Sequence, residues 1–314
     1  MTWNLLLISS VILLCILLHR VSDKIGVPML LAFIVLGMAF GTDGIVKIPF
    51  ENYELAENVC STALIFIMFY GGFGTSWNEA RPVAVKSVLL STLGVVITAA
   101  LTGFFCYFIL KFRFLDSMLI GSVVSSTDAA SVFSILRSKN MGLKYGTASM
   151  LELESGSNDP CSYMLTVVVL SAMSGTASAG SIFYMIFAQL FFGILFGCLI
   201  AFAARFILRH MHFDIAGFDM AFVIAVALLS YTLPSIAGGN GYLSAYMVGI
   251  ILGNTKIKNK KSLVNFFDGI TGLMQMLIFF LLGLLATPSQ LPRIFLPALA
   301  IALFLTLAAR PLAV

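Results

Sequence analysis

Four carboxylates stand in one stretch of chain that covers two successive apolar runs: Asp128, Glu152, Glu154 and Asp159. An ionised carboxylate at the centre of a helix in lipid costs about 2.5–3.5 kcal/mol, and four together about 10 kcal/mol before any pairing. Such groups must face a water-filled cavity, a counter-ion or each other. A network that only ties helices together would need basic partners, and Arg310 is the one basic residue expected to lie within the bilayer. In the string LELESGSNDP at 151–160, helical spacing puts Glu152, Ser155 and Asp159 on one face and Glu154 and Asn158 on the adjoining one. Pro160 removes its own backbone donor and frees the carbonyl of Gly156. Gly156 in turn lets a neighbouring helix come close. A carboxylate ringed by hydroxyl and amide oxygens is ligation chemistry for a hard monovalent cation, and the same carboxylate can take a proton. Upstream, the run Ser125-Ser126-Thr127-Asp128 bonds readily to its own backbone. It is expected to unwind a helix where the chain lines a cavity; the alternative is a continuous helix whose hydroxyls bond to carbonyls one turn back.

The elements that hold these residues are set by composition. Of 314 residues 60% are apolar and 10% charged, with 18 Lys and Arg against 14 Asp and Glu, and the mean hydropathy is +1.04. A soluble chain averages about 25% charged residues. So little charge excludes a soluble enzyme, a disordered chain and a nucleic-acid binder, and leaves an all-α polytopic membrane protein. Eleven apolar runs are expected to span, at 3–18, 26–41, 59–74, 83–110, 115–136, 147–173, 181–208, 216–232, 240–254, 263–286 and 291–314. The first lacks the basic start of a signal peptide and is followed by His19-Arg20. With the N-terminus outside, the inner loops collect Arg20, Lys24, Arg81, Lys86, Arg137, Lys139, Lys144, Arg205, Arg209, Lys256, Lys258, Lys260 and Lys261. The outer loops hold Lys47, Lys111, Arg113 and Arg293. The five cysteines have no paired spacing and read as small apolar residues. His210 and His212 read as interfacial bases rather than metal ligands. No cofactor and no resident metal is expected. Val314 stands in the middle of an apolar run, so a C-terminally truncated chain is expected.

With these residues in view, the sequence resembles the monovalent cation:proton antiporter-1 (NhaP-like) family, and within it the bacterial potassium/proton, cell-volume-regulation branch. The matching strings are SSTDAASVFSILRS at 125–138, LELESGSNDP at 151–160 and ARPLAV at 309–314. The resemblance implies an NhaA-like fold with inverted repeats and a broken crossover helix, here as a single transmembrane domain over 1–314. Residue by residue, it implies that Asp159 binds cation and proton in turn. Asn158 then stands where electrogenic relatives have a second Asp. Thr127 and Asp128 mark the crossover of the unwound helix, Ser155 supplies a hydroxyl, and Glu154 pairs with Arg310. Glu152, Gly156 and Pro160 support the site. The resemblance further implies a plasma (inner) membrane location, a homodimer, and K+ or Na+ exchanged for H+, electroneutrally because Asn158 does not titrate.

Two departures from the family pattern stand out. Tyr70 precedes Gly71-Gly72 where many relatives have an acidic residue. Family members typically have thirteen spans, so two spans and any cytosolic tail are expected to be missing. Two other classes compete with this reading. A channel would use a filter of backbone carbonyls, and no TVGYG-like run is present. An intramembrane aspartyl protease would pair Asp128 with Asp159, but the nearest match to its motif, Gly217-Phe218-Asp219, lacks the second glycine directly before the aspartate.

Overall fold

The structure, a computed structural model, describes residues 2–25, 29–128, 132, 143, 146–175, 178–210, 217–257 and 260–314. Residues 129–131 and 133–136 of the expected fifth span lie outside the described residues. So do Arg137, Lys139, Lys144, His212 and Lys258, and the side chains of His19, Arg20 and Lys24.

Each expected apolar run falls on one of eleven helical runs, and no strand occurs among the described residues. These are α1 Thr2–Ile25, α2 Met29–Phe40 and α3 Tyr53–Gly74; α4 Trp77–Phe108; α5 Phe114–Val124, α6 Thr147–Met173 and α7 Ala179–His210; α8 Phe218–Ile236, α9 Gly241–Gly253 and α10 Lys260–Leu285; and α11 Pro288–Ala313. Helix dominates because lipid offers no partner to backbone N–H and C=O groups, so each span must satisfy them internally. Among the described residues six helices, α3, α4, α7, α8, α10 and α11, are long and apolar enough to cross a membrane. α6 is long enough but carries three of the carboxylates.

Several helices begin earlier than the apolar runs. α3 starts at Tyr53 because Asn52 Oδ1 accepts the N–H of Leu55 at 2.9 Å. α4 starts at Trp77, whose N–H is held by Asn254 Oδ1 at 2.8 Å. It then passes through a 3-10 turn at Arg81–Val83 that accommodates Pro82 near its start. Two π-turns interrupt the α-helical pattern, Leu90–Gly94 in α4 and Leu305–Ala309 in α11. A Cβ built on Gly94 would stand 3.5 Å from the Ala313 carbonyl.

The chain divides into two compact units. The first, Met1–Phe66 with Asp268–Leu296, is organised around Val11, Cys15, Leu30, Phe33, Phe280 and Leu284. Here α2 and α10 meet at glycines: a Cβ on Gly37 would lie 2.8 Å from the Cα of Gly283. Such close approach suits helices that gain little hydrophobic drive in lipid and associate by packing. The second unit, Ile67–Phe267 with Pro297–Val314, holds all the candidate site residues. In it α9 lies on the end of α3 through Gly249 and Gly253, whose Cβ positions are filled by the backbone of Phe69 and Phe73. Asn254 Nδ2 closes that end by donating to the Thr75 carbonyl at 2.9 Å. The exposed face of α7 is a run of large apolar side chains, Phe183, Phe187, Phe191, Phe202 and Phe206 among them. In water this would be an aggregation surface; against lipid it is the solvated face.

Candidate functional site

α5 stops at Val124, and Ser125 to Asp128 are unwound, as the cluster of hydroxyls predicts. One orphan carbonyl of its last turn, that of Ser122, is taken by two side chains. Ser125 Oγ donates to the Ser122 carbonyl at 2.8 Å, and Ser162 Oγ of α6 donates to the same oxygen at 2.6 Å. Val132 N–H donates to the Asp128 carbonyl at 3.2 Å.

To this unwound segment α6 presents Glu154, Ser155, Asn158 and Asp159. Glu154, Ser155 and Asn158 are buried, and Asp159 is half-buried. Asn158 Nδ2 donates one hydrogen to Glu154 Oε1 at 3.0 Å and the other to Thr127 Oγ1. Having accepted that bond, Thr127 is free to donate to Ser155 Oγ, 3.1 Å away. Ser155 Oγ donates in turn to Glu154 Oε2 at 3.5 Å. Glu154 is thus the acceptor on which the chain of donors ends, and Arg310 neutralises it, with Nη1 3.7 Å from Oε1. Arg310 Nη2 also donates to the Ser125 carbonyl at 2.7 Å, so one guanidinium ties α11 to both the unwound segment and α6. A cavity of about 190 Å³ adjoins Thr127, Glu154 and Arg310 and is lined otherwise mainly by Leu90, Gly94 and Met150.

One residue absent from the sequence-level candidates sits at the centre. Ser126 Oγ donates to Asn158 Oδ1 at 3.0 Å and makes a short hydrogen bond with Asp159 Oδ1. Nothing in helical spacing marks Ser126 out, because its direction is set by unwound backbone. The only available signal was its place in a run of four polar residues. Thr127, Glu154, Ser155, Asn158, Asp159 and Arg310 come together as expected. Asp128 is exposed, and Glu152 is half-buried. Gly156 and Pro160 face α9 rather than α5: a Cβ on Gly156 would overlap the Tyr246 ring, and the Pro160 carbonyl accepts from Asn240 Nδ2 at 2.8 Å. Two side chains from the competing readings are engaged locally. Asp219 Oδ1 accepts the N–H of Met220 at 3.0 Å at the start of α8. His210 Nδ1 lies 2.9 Å from the Phe206 carbonyl of its own helix. All five cysteines are free.

Fold and site together define a helical membrane protein with a polar carboxylate cluster built where α5 ends and the chain unwinds. Residues 9–314 match the family model described as sodium/hydrogen exchanger, transmembrane, and the chain belongs to that family. It is 37% identical over 312 residues to the K(+)/H(+) antiporter NhaP of Alkalimonas amylolytica, covering 99% of this chain and 54% of that one. It is 36% identical over 306 residues to the K(+)/H(+) antiporter NhaP2 of Shewanella sp. strain ANA-3, covering 95% and 52%. The chain therefore spans about half the length of the curated relatives it matches. Among solved structures, the sodium proton antiporter MjNhaP1 from Methanocaldococcus jannaschii superposes with a TM-score of 0.87 at 25% identity, covering all of this chain and 77% of that one.

Proposed function

We propose that the protein is a secondary transporter that exchanges a monovalent cation, K+ or Na+, for H+ by competition at Asp159. The observation that carries this reading is the proton count at Ser126. Both hydrogens of the Asn158 amide are committed to Glu154 and Thr127, which turns its carbonyl oxygen toward Ser126. Ser126 has one hydrogen to give and three acceptors within reach, the Thr127 carbonyl at 3.3 Å, Asn158 Oδ1 at 3.0 Å and Asp159 Oδ1 closest of the three. If the hydrogen goes to Asn158, Ser126 presents lone pairs to Asp159, an arrangement that is favourable when Asp159 carries a proton. If Asp159 is ionised, Ser126 turns its hydrogen to the carboxylate, and the Asn158 carbonyl is free for a new ligand. A cation entering here would meet the Asp159 carboxylate, the Asn158 carbonyl and the hydroxyls of Ser126, Thr127 and Ser155. Proton and cation therefore exclude one another at a single group. Asp128 closes the unwound segment, and Glu152, Gly156 and Pro160 support α6 from outside the cluster.

Because Asn158 does not titrate, one proton is exchanged per monovalent cation and the cycle is electroneutral. Alternating access comes from rocking of the helices that carry the interrupted segment and α6 against their neighbours. The working form is a homodimer in the plasma membrane with its N-terminus outside, a direction supported by the excess of Lys and Arg in the loops then placed inside. The names of the relatives, K(+)/H(+) and sodium proton antiporters, support the same substrates. The test is Asp159→Asn in protein reconstituted into liposomes with a pH-sensitive dye inside. Cation-driven proton movement by the parent and none by the variant is expected; retained movement overturns the assignment. A voltage-dependent current at saturating cation overturns electroneutrality.

A further inference from the structure

Asn240 joins three helices beside the site. It precedes α9 and caps it, its Oδ1 accepting the N–H of Leu243 at 3.0 Å. Its own N–H donates to the Gln189 carbonyl of α7 at 3.0 Å. That approach requires Gly193, where a Cβ would stand 2.9 Å from the Asn240 carbonyl. With the backbone held by α7 and Oδ1 held by α9, Nδ2 is aimed at α6, where it donates to the Pro160 carbonyl at 2.8 Å. Asn240 is 2% exposed, so no water competes for these bonds.

The place on α6 matters. Pro160 has no N–H, so the helix lacks its bond to the Gly156 carbonyl and is soft at this turn. Asp159 is the preceding residue. A proline turn is a poor platform for a carboxylate that must meet Ser126 in one geometry, unless something outside the helix fixes it. We infer that Asn240 is a positioning residue for Asp159: by holding the Pro160 carbonyl it sets the height of α6 at its proline turn and aims the neighbouring carboxylate at the unwound segment. This rests on the exchange reaction proposed above.

The test uses two variants that retain a cap oxygen for α9. Asn240→Thr and Asn240→Ser are neutral, keep a capping hydroxyl and are too short to reach α6. Each is assayed for cation half-saturation in liposomes and, separately, for hydrogen–deuterium exchange by mass spectrometry. The expected result in both is a half-saturation raised about five- to tenfold, the size of one buried hydrogen bond. Deuterium uptake is expected to quicken across 156–164, with 242–247 unchanged. Unchanged uptake across 156–164 in either folded variant overturns the inference. So does quickened uptake with a wild-type half-saturation, which would make the bond a brace without influence on the site. If the parent protein exchanges no cation, the proposed function fails, and the uptake measurement alone then decides whether Asn240 holds the proline turn.

Discussion

Arg310 and Glu154 offer a perturbation whose size follows from the geometry. Their charges are 3.7 Å apart, with side chains 24% and 11% exposed. At an effective dielectric of about 20 that separation corresponds to roughly 4 kcal/mol of attraction. Arg310→Gln removes the cation and leaves Glu154 ionised in a buried position, which costs about 3–5 kcal/mol. It also removes the bond to the Ser125 carbonyl. Glu154→Gln is milder, about 1–3 kcal/mol, because Gln still offers an oxygen to Asn158 while Arg310 keeps the Ser125 carbonyl and its partial exposure. In the double variant no unpaired charge remains, so it is expected to be more stable than Arg310→Gln alone by at least about 1 kcal/mol. Thermal unfolding in detergent, followed by intrinsic fluorescence, gives the ranking as shifts of several degrees. If the loss in the double variant equals the sum of the single losses, the two charges do not interact and the reasoning fails.

Three further outcomes follow from the same geometry. Ser126→Ala leaves the Asn158 carbonyl and Asp159 without their shared donor, so cation half-saturation is expected to rise about tenfold or more in a liposome flux assay; an unchanged value would remove Ser126 from the site. If proton and cation compete at one carboxylate, the half-saturation for cation rises toward tenfold for each unit by which pH falls once Asp159 is mostly protonated; flux titrations at stepped pH that give a constant half-saturation would contradict competition. Gly156→Ala puts a methyl group onto the ring of Tyr246, which is 2% exposed and has no room to swing away. A loss of about 1–3 kcal/mol is expected in thermal melts, partly recovered by adding Tyr246→Leu.

The spans and the unwound residues after α5 were legible in the sequence because both rest on composition. Long apolar runs have one stable form in lipid, and Ser125 to Asp128 carry side chains that compete with helical hydrogen bonds. α6 was legible in more detail, since helical periodicity puts Ser155 and Asp159 on one face and Asn158 within reach of Glu154. Glu152 lies on the face of Ser155 on a helical wheel and is half-buried, but a wheel shows angle and not height along the helix. Ser126 was hidden for a different reason: in unwound chain no period relates sequence position to direction. Asn240 and Tyr246 were hidden because their relevance depends on which helix packs behind α6, and apolar spans of similar composition do not encode their neighbours.

The π-turn at Leu305–Ala309 accommodates one residue more than a regular helix of the same rise, and it ends immediately before Arg310. A residue added to an α-helix without such a bulge would rotate everything after it by about 100°. Here the bulge absorbs the surplus, and Arg310 still points at Glu154. Deleting any one of those five residues would let an unbroken α-helix form with Arg310 on its present face. A deletion in the regular helix before the turn, with the bulge kept, would swing the guanidinium away from its carboxylate. The bulge is thus a register compensator, a stretch where the helix can change length by one residue while its charge stays aimed.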